Sequence, residues 1–115
     1  GAIAIPAEIG GRPVTSIGFA AFRGCTVLTN VTIPDSVTSL GDGTFMNCTG
    51  LTGVTIGNGV TVIGANTFSG CSVLTRVTMG NSVTSIGGTA FFYCTSLTGI
   101  TISDSVSLTL GLIRL

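Results

Sequence analysis

The side chains able to do chemistry are few, and their spacing comes before anything else. Four cysteines stand at Cys25, Cys48, Cys71 and Cys94, each 23 residues after the one before. Four are enough for a tetrahedral zinc site or for a disulfide framework. The constant interval argues for neither, because it places all four in one column of a repeat. Neighbours in such a column lie about 5 Å apart, within bridging range. Parallel side chains in a regular ladder nevertheless fail the angular requirement of a disulfide. The expectation is a column of buried free thiols that pack as small hydrophobes. Histidine, lysine and tryptophan are absent, which removes the usual general base, the Ser-His-Asp constellation and the commonest zinc ligand together. Glu8, Asp35, Asp42 and Asp104 are scattered over different coils and positions, so no acid–base dyad forms. No enzyme activity, cofactor or metal is expected.

The cysteine interval is the period of the whole chain. Phe22, Phe45, Phe68 and Phe91 precede the cysteines by three residues, and Leu28, Leu51, Leu74 and Leu97 follow them by three. Val31, Val54, Val77 and Ile100 keep the same step, as do Ile33, Ile56, Met79 and Ile102. Val14, Val37, Val60, Val83 and Val106 form a further column, and Ile17, Leu40, Ile63 and Ile86 complete the set. Apolar columns in phase over four or five copies predict a solenoid of about five coils, each burying its apolar face against the next. At 115 residues this is one domain, 1–115, with a divergent first coil (1–13) and an irregular last coil (107–115).

One coil shows what each column is for. From Leu28 to Gly41, Val31 and Ile33 alternate with Thr32, the period of a strand with one buried face. Turn residues follow at Pro34-Asp35-Ser36, and at Gly57-Asn58-Gly59 and Gly80-Asn81-Ser82 in later coils. Their Asn and Asp side chains are expected to bond their own backbone. A second short strand, Val37 to Leu40, points Val37 and Leu40 inward. Gly18, Gly41, Gly64 and Gly87 then mark a corner that a Cβ would obstruct. Phe and Cys spaced i, i+3 in Gly43 to Cys48 suit one helical or 3₁₀ turn held by packing. Two parallel sheets along the stack and a knobbly third side are predicted.

The pattern LxxLxLPxxVxxLGxxxFxxC, as it stands in Leu28 to Cys48 with its glycine corner and FxxC turn, resembles the BspA-like leucine-rich repeat of bacterial and protist surface proteins. The resemblance runs from about Val14 to Val106. It implies a right-handed, curved solenoid, secreted or displayed at the cell surface, that mediates adhesion to extracellular or cell-surface proteins. Ile5-Pro6 through Val14 resembles the same repeat with a loop inserted between strands. Ser105 to Gly111 departs from it by one extra residue, and no Phe or Cys follows.

Composition narrows the partners. Four arginines balance the four carboxylates, for a formal net charge of zero. A chain with no basic stripe lacks the footprint of nucleic-acid binding and the cationic face that an anionic membrane attracts. Polar Thr, Ser, Asn and Gly interrupt every coil, so no apolar run approaches the roughly 18 residues of a spanning helix. Mean hydropathy is high, at +0.77, because Gly, Thr and Ser, not charges, take the outward positions. That composition favours assembly.

The remaining candidates are contact residues. Thr32, Thr55, Thr78 and Thr101 form one outward rank on the first strand, which raises the possibility of an ice-binding face. Their outward partners Asn30, Gly53, Arg76 and Gly99 are irregular in size and charge, so the rank reads as β-branched residues suited to an exposed strand face. Further threonine columns run through Thr29, Thr52, Thr75 and Thr98 and through Thr15, Thr38, Thr61 and Thr84. Asn30 and Arg76 are the large polar groups of their column and join Thr32, Thr55, Thr78 and Thr101 as candidate binding residues. Phe92 and Tyr93 stand at variable turn positions, either as an interface anchor or as local packing. Two glycosylation sequons begin at Asn30 and Asn47. Both ends of the chain are apolar. Gly1 to Ile5 and Leu108 to Leu115 carry no polar cap of the kind that closes natural solenoids. Either the chain is a piece of a longer array, consistent with its opening on Gly1 without Met or a signal peptide, or copies stack end to end into a fibre.

Overall fold

The computed structural model describes residues 1–101 and 109–110. In chain order the strands are β1 (Ala2–Ala4), β2 (Glu8–Ile9), β3 (Arg12–Pro13), β4 (Ser16–Ile17), β5 (Asn30–Ile33) and β6 (Ser39–Leu40). They continue with β7 (Gly53–Ile56), β8 (Val62–Ile63), β9 (Arg76–Thr78), β10 (Ser85–Ile86), β11 (Gly99–Thr101) and β12 (Thr109–Leu110). The first strand of each coil joins one parallel sheet in the order β1-β5-β7-β9-β11. Its register holds Ile3, Val31, Val54, Val77 and Ile100 in line, with an offset of 23 residues from β5 onward. The alternation in Asn30–Ile33 is realised as exposed, buried, exposed, buried. The chain is therefore the solenoid that the columns predict.

The core is the set of stacked columns. Val31, Leu51, Val54, Ile63, Leu74 and Val77 are buried, while Leu97 and Ile100 in the same columns are half-buried. Phe22, Phe45, Phe68 and Phe91 stack face to face with centroids 5.3, 5.5 and 5.5 Å apart and planes within 9°. That separation, wider than a strand spacing, gives the offset stacking that aromatic quadrupoles favour. At the corner, a Cβ on Gly41 would run into the backbone of Gly18 and Phe19 in the coil before. The loop inserted into the first coil is a hairpin of β2 and β3, turned by Gly10 and Gly11 with φ of 58° and 79°. Two positive φ values at a two-residue loop are a type I′ turn, which glycine enters without cost.

Four expectations need correction. The FxxC segment is a series of single i→i+3 turns and not a run of helix. Thr44, Met46 and Cys48 donate to Gly41, Gly43 and Phe45 within the coil, while Gly43, Phe45 and Asn47 donate to Ala65, Thr67 and Ser69 of the next. Alternate N–H groups are thus committed to the neighbouring coil, and a helix would need every one internally. The second sheet is discontinuous: β4 pairs with β6, and β10 with both β8 and β12, but β6 and β8 share no ladder. Strands of two residues offer too few bonds to force a continuous sheet, and buried Leu40 and Ile63 hold that junction by packing. The turn side chains bond across coils, not their own backbone. Asp35 Oδ1 accepts from the N–H of Asn58 at 2.7 Å, and Asn58 Oδ1 from that of Asn81 at 2.9 Å. The cysteine column is buried at Cys48, Cys71 and Cys94 but only half-buried at Cys25, which has no full FxxC coil before it.

The last coil (107–115), with Ile102, Asp104 and Val106 before it, lies outside the described residues except for β12. There Ile86 pairs with Leu110, 24 residues on where Ile63 pairs with Ile86 after 23. The extra residue of the last repeat falls in that interval.

Candidate functional site

The outward face of the five-stranded sheet is a regular surface that spans five strands. Parallel pairing sets Thr32, Thr55, Thr78 and Thr101 side by side, with Ala4 at the head of the rank. Thr32, Thr55 and Thr101 are exposed and Thr78 is partly covered. Two residues back, Asn30, Gly53, Arg76 and Gly99 form the second rank. Gly53 leaves a notch that its neighbours cover. Asn30 Oδ1 lies 2.6 Å from where a Cβ would stand, and Arg76 Nη2 lies 3.6 Å from it. An amide and a guanidinium from coils two apart therefore converge over one glycine. Asn30 and Arg76 stand out in the sequence by size; their convergence depends on Gly53 having no side chain.

The other threonine columns are structural. The hydroxyls of Thr52, Thr75 and Thr98 donate to the carbonyls of Thr29, Thr52 and Thr75 at 3.0 to 3.2 Å. Thr38 and Thr84 do the same to Thr15 and Thr61 at 3.2 Å. Each of these carbonyls also accepts a backbone N–H from the same residue of the next coil. These hydroxyls are spent on joining coils. The cysteines act likewise: Cys48, Cys71 and Cys94 Sγ donate to Phe22, Phe45 and Phe68 carbonyls at 3.1, 3.2 and 3.1 Å. Burial pushes the Cys71 thiol up to about 12 and the Cys94 thiol up to about 11, and raises Cys48 as well. A buried, protonated thiol is inert as a nucleophile. Among the described residues no three His, Cys, Asp or Glu side chains converge as metal ligands.

Phe92 and Tyr93 form a separate cluster on the turn edge, with ring centroids 4.1 Å apart and planes tilted by 35°. Tyr93 is 61% exposed and holds φ at 61°. The same position is glycine at Gly24 and Gly70 and asparagine at Asn47, all left-handed. Left-handed backbone costs a residue with a Cβ about 1–2 kcal/mol, and here a bulky ring is kept at that cost in the open. The two sequon asparagines, Asn30 and Asn47, are both exposed.

The coil, its FxxC edge and its corner glycine can now be set beside known proteins. The profile of the BspA type Leucine rich repeat region matches residues 5–109 in 6 copies. The chain belongs to the BspA type leucine-rich repeat family. Among solved structures it is similar to the T. pallidum leucine-rich repeat protein, with a TM-score of 0.88 and 31% identity over 96% of this chain and 52% of that one. It is similar to a leucine-rich repeat protein from Bacteroides ovatus, with a TM-score of 0.74 and 31% identity over 99% of this chain and 33% of that one. A leucine rich cell surface protein from Faecalibacterium prausnitzii aligns with a TM-score of 0.62 and 33% identity, over 90% of this chain and 32% of that one. No curated protein matches the chain. This BspA type chain thus spans about half the length of the T. pallidum protein and about a third of the other two. Among the described residues, no helix is long and apolar enough to cross a membrane.

Proposed function

We propose that this chain is a non-enzymatic binding module of a secreted or cell-surface protein, which docks an extracellular or cell-surface protein on the outer face of its five-stranded sheet. One observation carries the reading. The face holds Asn30, Arg76 and the Thr32, Thr55, Thr78, Thr101 rank in fixed register over the apolar core. A face of hydroxyl and amide groups around one guanidinium suits hydrogen bonding to a protein surface, and arginine is a common anchor of such contacts. The similar F. prausnitzii protein is a cell surface protein, which supports the location. The lack of histidine and lysine and the zero net charge support binding without catalysis and without nucleic acid. The test is a pull-down against extracellular-matrix and cell-surface proteins. A captured partner should be lost on Thr55→Arg, which blocks the centre of the face, and weakened several-fold by Arg76→Ala. Capture indifferent to both substitutions would remove the sheet face as the site.

A second reading, end-to-end stacking into a filament, is favoured by the first coil. A hollow of about 270 Å³ opens there, lined by Gly1, Ala2, Ile3, Phe22, Cys25, Val27 and Leu28. It exposes the end of the phenylalanine stack, and Val27 beside it is 77% exposed. Another coil, from a second copy, would cover it as each coil covers the next.

A further inference from the structure

Charged residues are scarce in this chain, eight in 115, and two of opposite sign meet in one hollow. Arg23 and Asp42, from consecutive coils, line a depression of about 260 Å³ together with Phe19, Ala20, Gly43, Met46 and Asn66. Among the described residues no ion pair joins Arg23 to Asp42, and neither side chain makes a hydrogen bond. Both are exposed, and Phe19 at the rim is 77% exposed. The backbone of the wall is committed elsewhere: the Asp42 carbonyl accepts from Ala20, and Gly43 donates to Ala65. Three left-handed residues, Ala20, Gly43 and Asn66, shape the floor at φ of 52°, 66° and 58°. The three are one column of the repeat, so each coil turns the same way at this edge.

The lining restricts the occupant. An anion meets Asp42 and a cation meets Arg23, so a ligand with net charge gains from one and loses to the other. The free groups offer a carboxylate that only accepts, a guanidinium that only donates and an amide that does both. A matching ligand is neutral and carries donors and acceptors around its rim. Phe19 and Met46 add an apolar wall, so one face of the ligand must be apolar too. The volume lies just below the range of pockets for drug-sized molecules, which limits the occupant to a single small ring or side chain. A pyranose satisfies every condition: hydroxyls on its rim, C–H groups on its face, no charge.

We propose that the hollow between Phe19, Arg23, Asp42 and Asn66 binds one sugar ring of a glycan on the partner surface. Hydroxyls donate to Asp42 and accept from Arg23 and Asn66, while the C–H face packs against Phe19. The proposal rests on the binding reading above in taking the partner to be a cell-surface molecule, and adds its chemistry. It uses none of the residues of the sheet face, so the two stand or fall apart.

The test is saturation-transfer NMR on the whole chain with the methyl glycosides of glucose, galactose, mannose and N-acetylglucosamine. At least one should bind in the millimolar range. Asp42→Asn, Arg23→Gln and Phe19→Ala alter exposed side chains, and each should weaken that binding about tenfold, the loss of one charge-assisted bond or one packed face. Thr55→Arg should leave it unchanged. The proposal is overturned if no glycoside binds, if binding ignores the three substitutions, or if free glycine or acetamide displaces the sugar equally well. Partner capture that survives deglycosylation of the partner and Asp42→Asn, but not Thr55→Arg, would overturn the sugar site and leave the sheet face standing.

Discussion

Tyr93 and the cysteines show how differently single residues are used on the two sides of one turn. At Tyr93 two effects of similar size oppose each other. Relief of a left-handed Cβ is worth about 1–2 kcal/mol, and the tilted ring pair with Phe92 about 0.5–1.5 kcal/mol. Tyr93→Gly removes both and should leave stability within about 1 kcal/mol of the parent. Tyr93→Ala keeps the strained Cβ and loses the ring, so by thermal melting it should fall about 1 kcal/mol below the glycine variant. Equal stability of the two variants would show that position 93 carries no strain. The cysteines are quiet by burial. Cys25, half-buried, should react with a thiol reagent in the native state, and Cys48, Cys71 and Cys94 only on unfolding. Their raised pKa values also set a pH dependence. Above the ordinary value near 9 the unfolded chain ionises these thiols while the folded chain keeps them protonated, so the folded state binds more protons. Stability should be flat below pH 9 and fall through the range up to about 11 to 12. Cys71→Ala should lower stability at neutral pH and flatten that alkaline fall; an unchanged fall would assign it to other groups.

At the scale of the coil, the inward half was legible in the sequence and the connections between coils were not. Phe45, Cys48, Leu51, Val54 and Ile56 recur at a fixed interval because each must sit on its equivalent, and apolar identity alone reveals that. The thiol bonds to phenylalanine carbonyls, the threonine ladders and the Asp35–Asn58–Asn81 chain link residues 23 or 26 apart. Which partner such a side chain chooses is fixed only once the coils are stacked. The FxxC segment was legible only in part for the same reason. Spacing i, i+3 in FxxC fits a helix, but alternate N–H groups that would build one are taken by the next coil. The site was legible as a list, Asn30 and Arg76 among its members, and illegible as an arrangement, since the Gly53 notch and the Arg23–Asp42 hollow unite different coils. Stacking also predicts unequal costs along one column. Phe68 is fully buried with a ring on each side, whereas Phe22 is half-buried with a ring on one. Phe68→Ala should cost about 3–5 kcal/mol, close to the whole stability of a small domain. Phe22→Ala should cost clearly less in denaturant melts, and equal losses would mean that the column does not act through its neighbours.

For the molecule as a whole, stability accumulates coil by coil, and an open coil face is a surface that another coil can cover. The first coil presents the edge of the five-stranded sheet at β1, where Thr29 donates to the Gly1 carbonyl, and beside it the hollow that holds Phe22, Cys25 and Val27. In the interior the same side of each phenylalanine is covered by that of the preceding coil. Burying an exposed valine is worth about 1.5–3 kcal/mol, and a chain with zero net charge sets no repulsion against a second copy. If copies stack, sedimentation velocity should show association that grows with concentration. Val27→Lys, which puts a charge into the hollow at a site 77% exposed in the single chain, should leave folding intact and return the protein to a species of about 11.5 kDa. Val73→Ala, an exposed apolar change in the same column but two coils away from that end, should not alter the association. A parent chain that stays at 11.5 kDa across the concentration range would end the filament reading and leave the sheet face as the surface that acts.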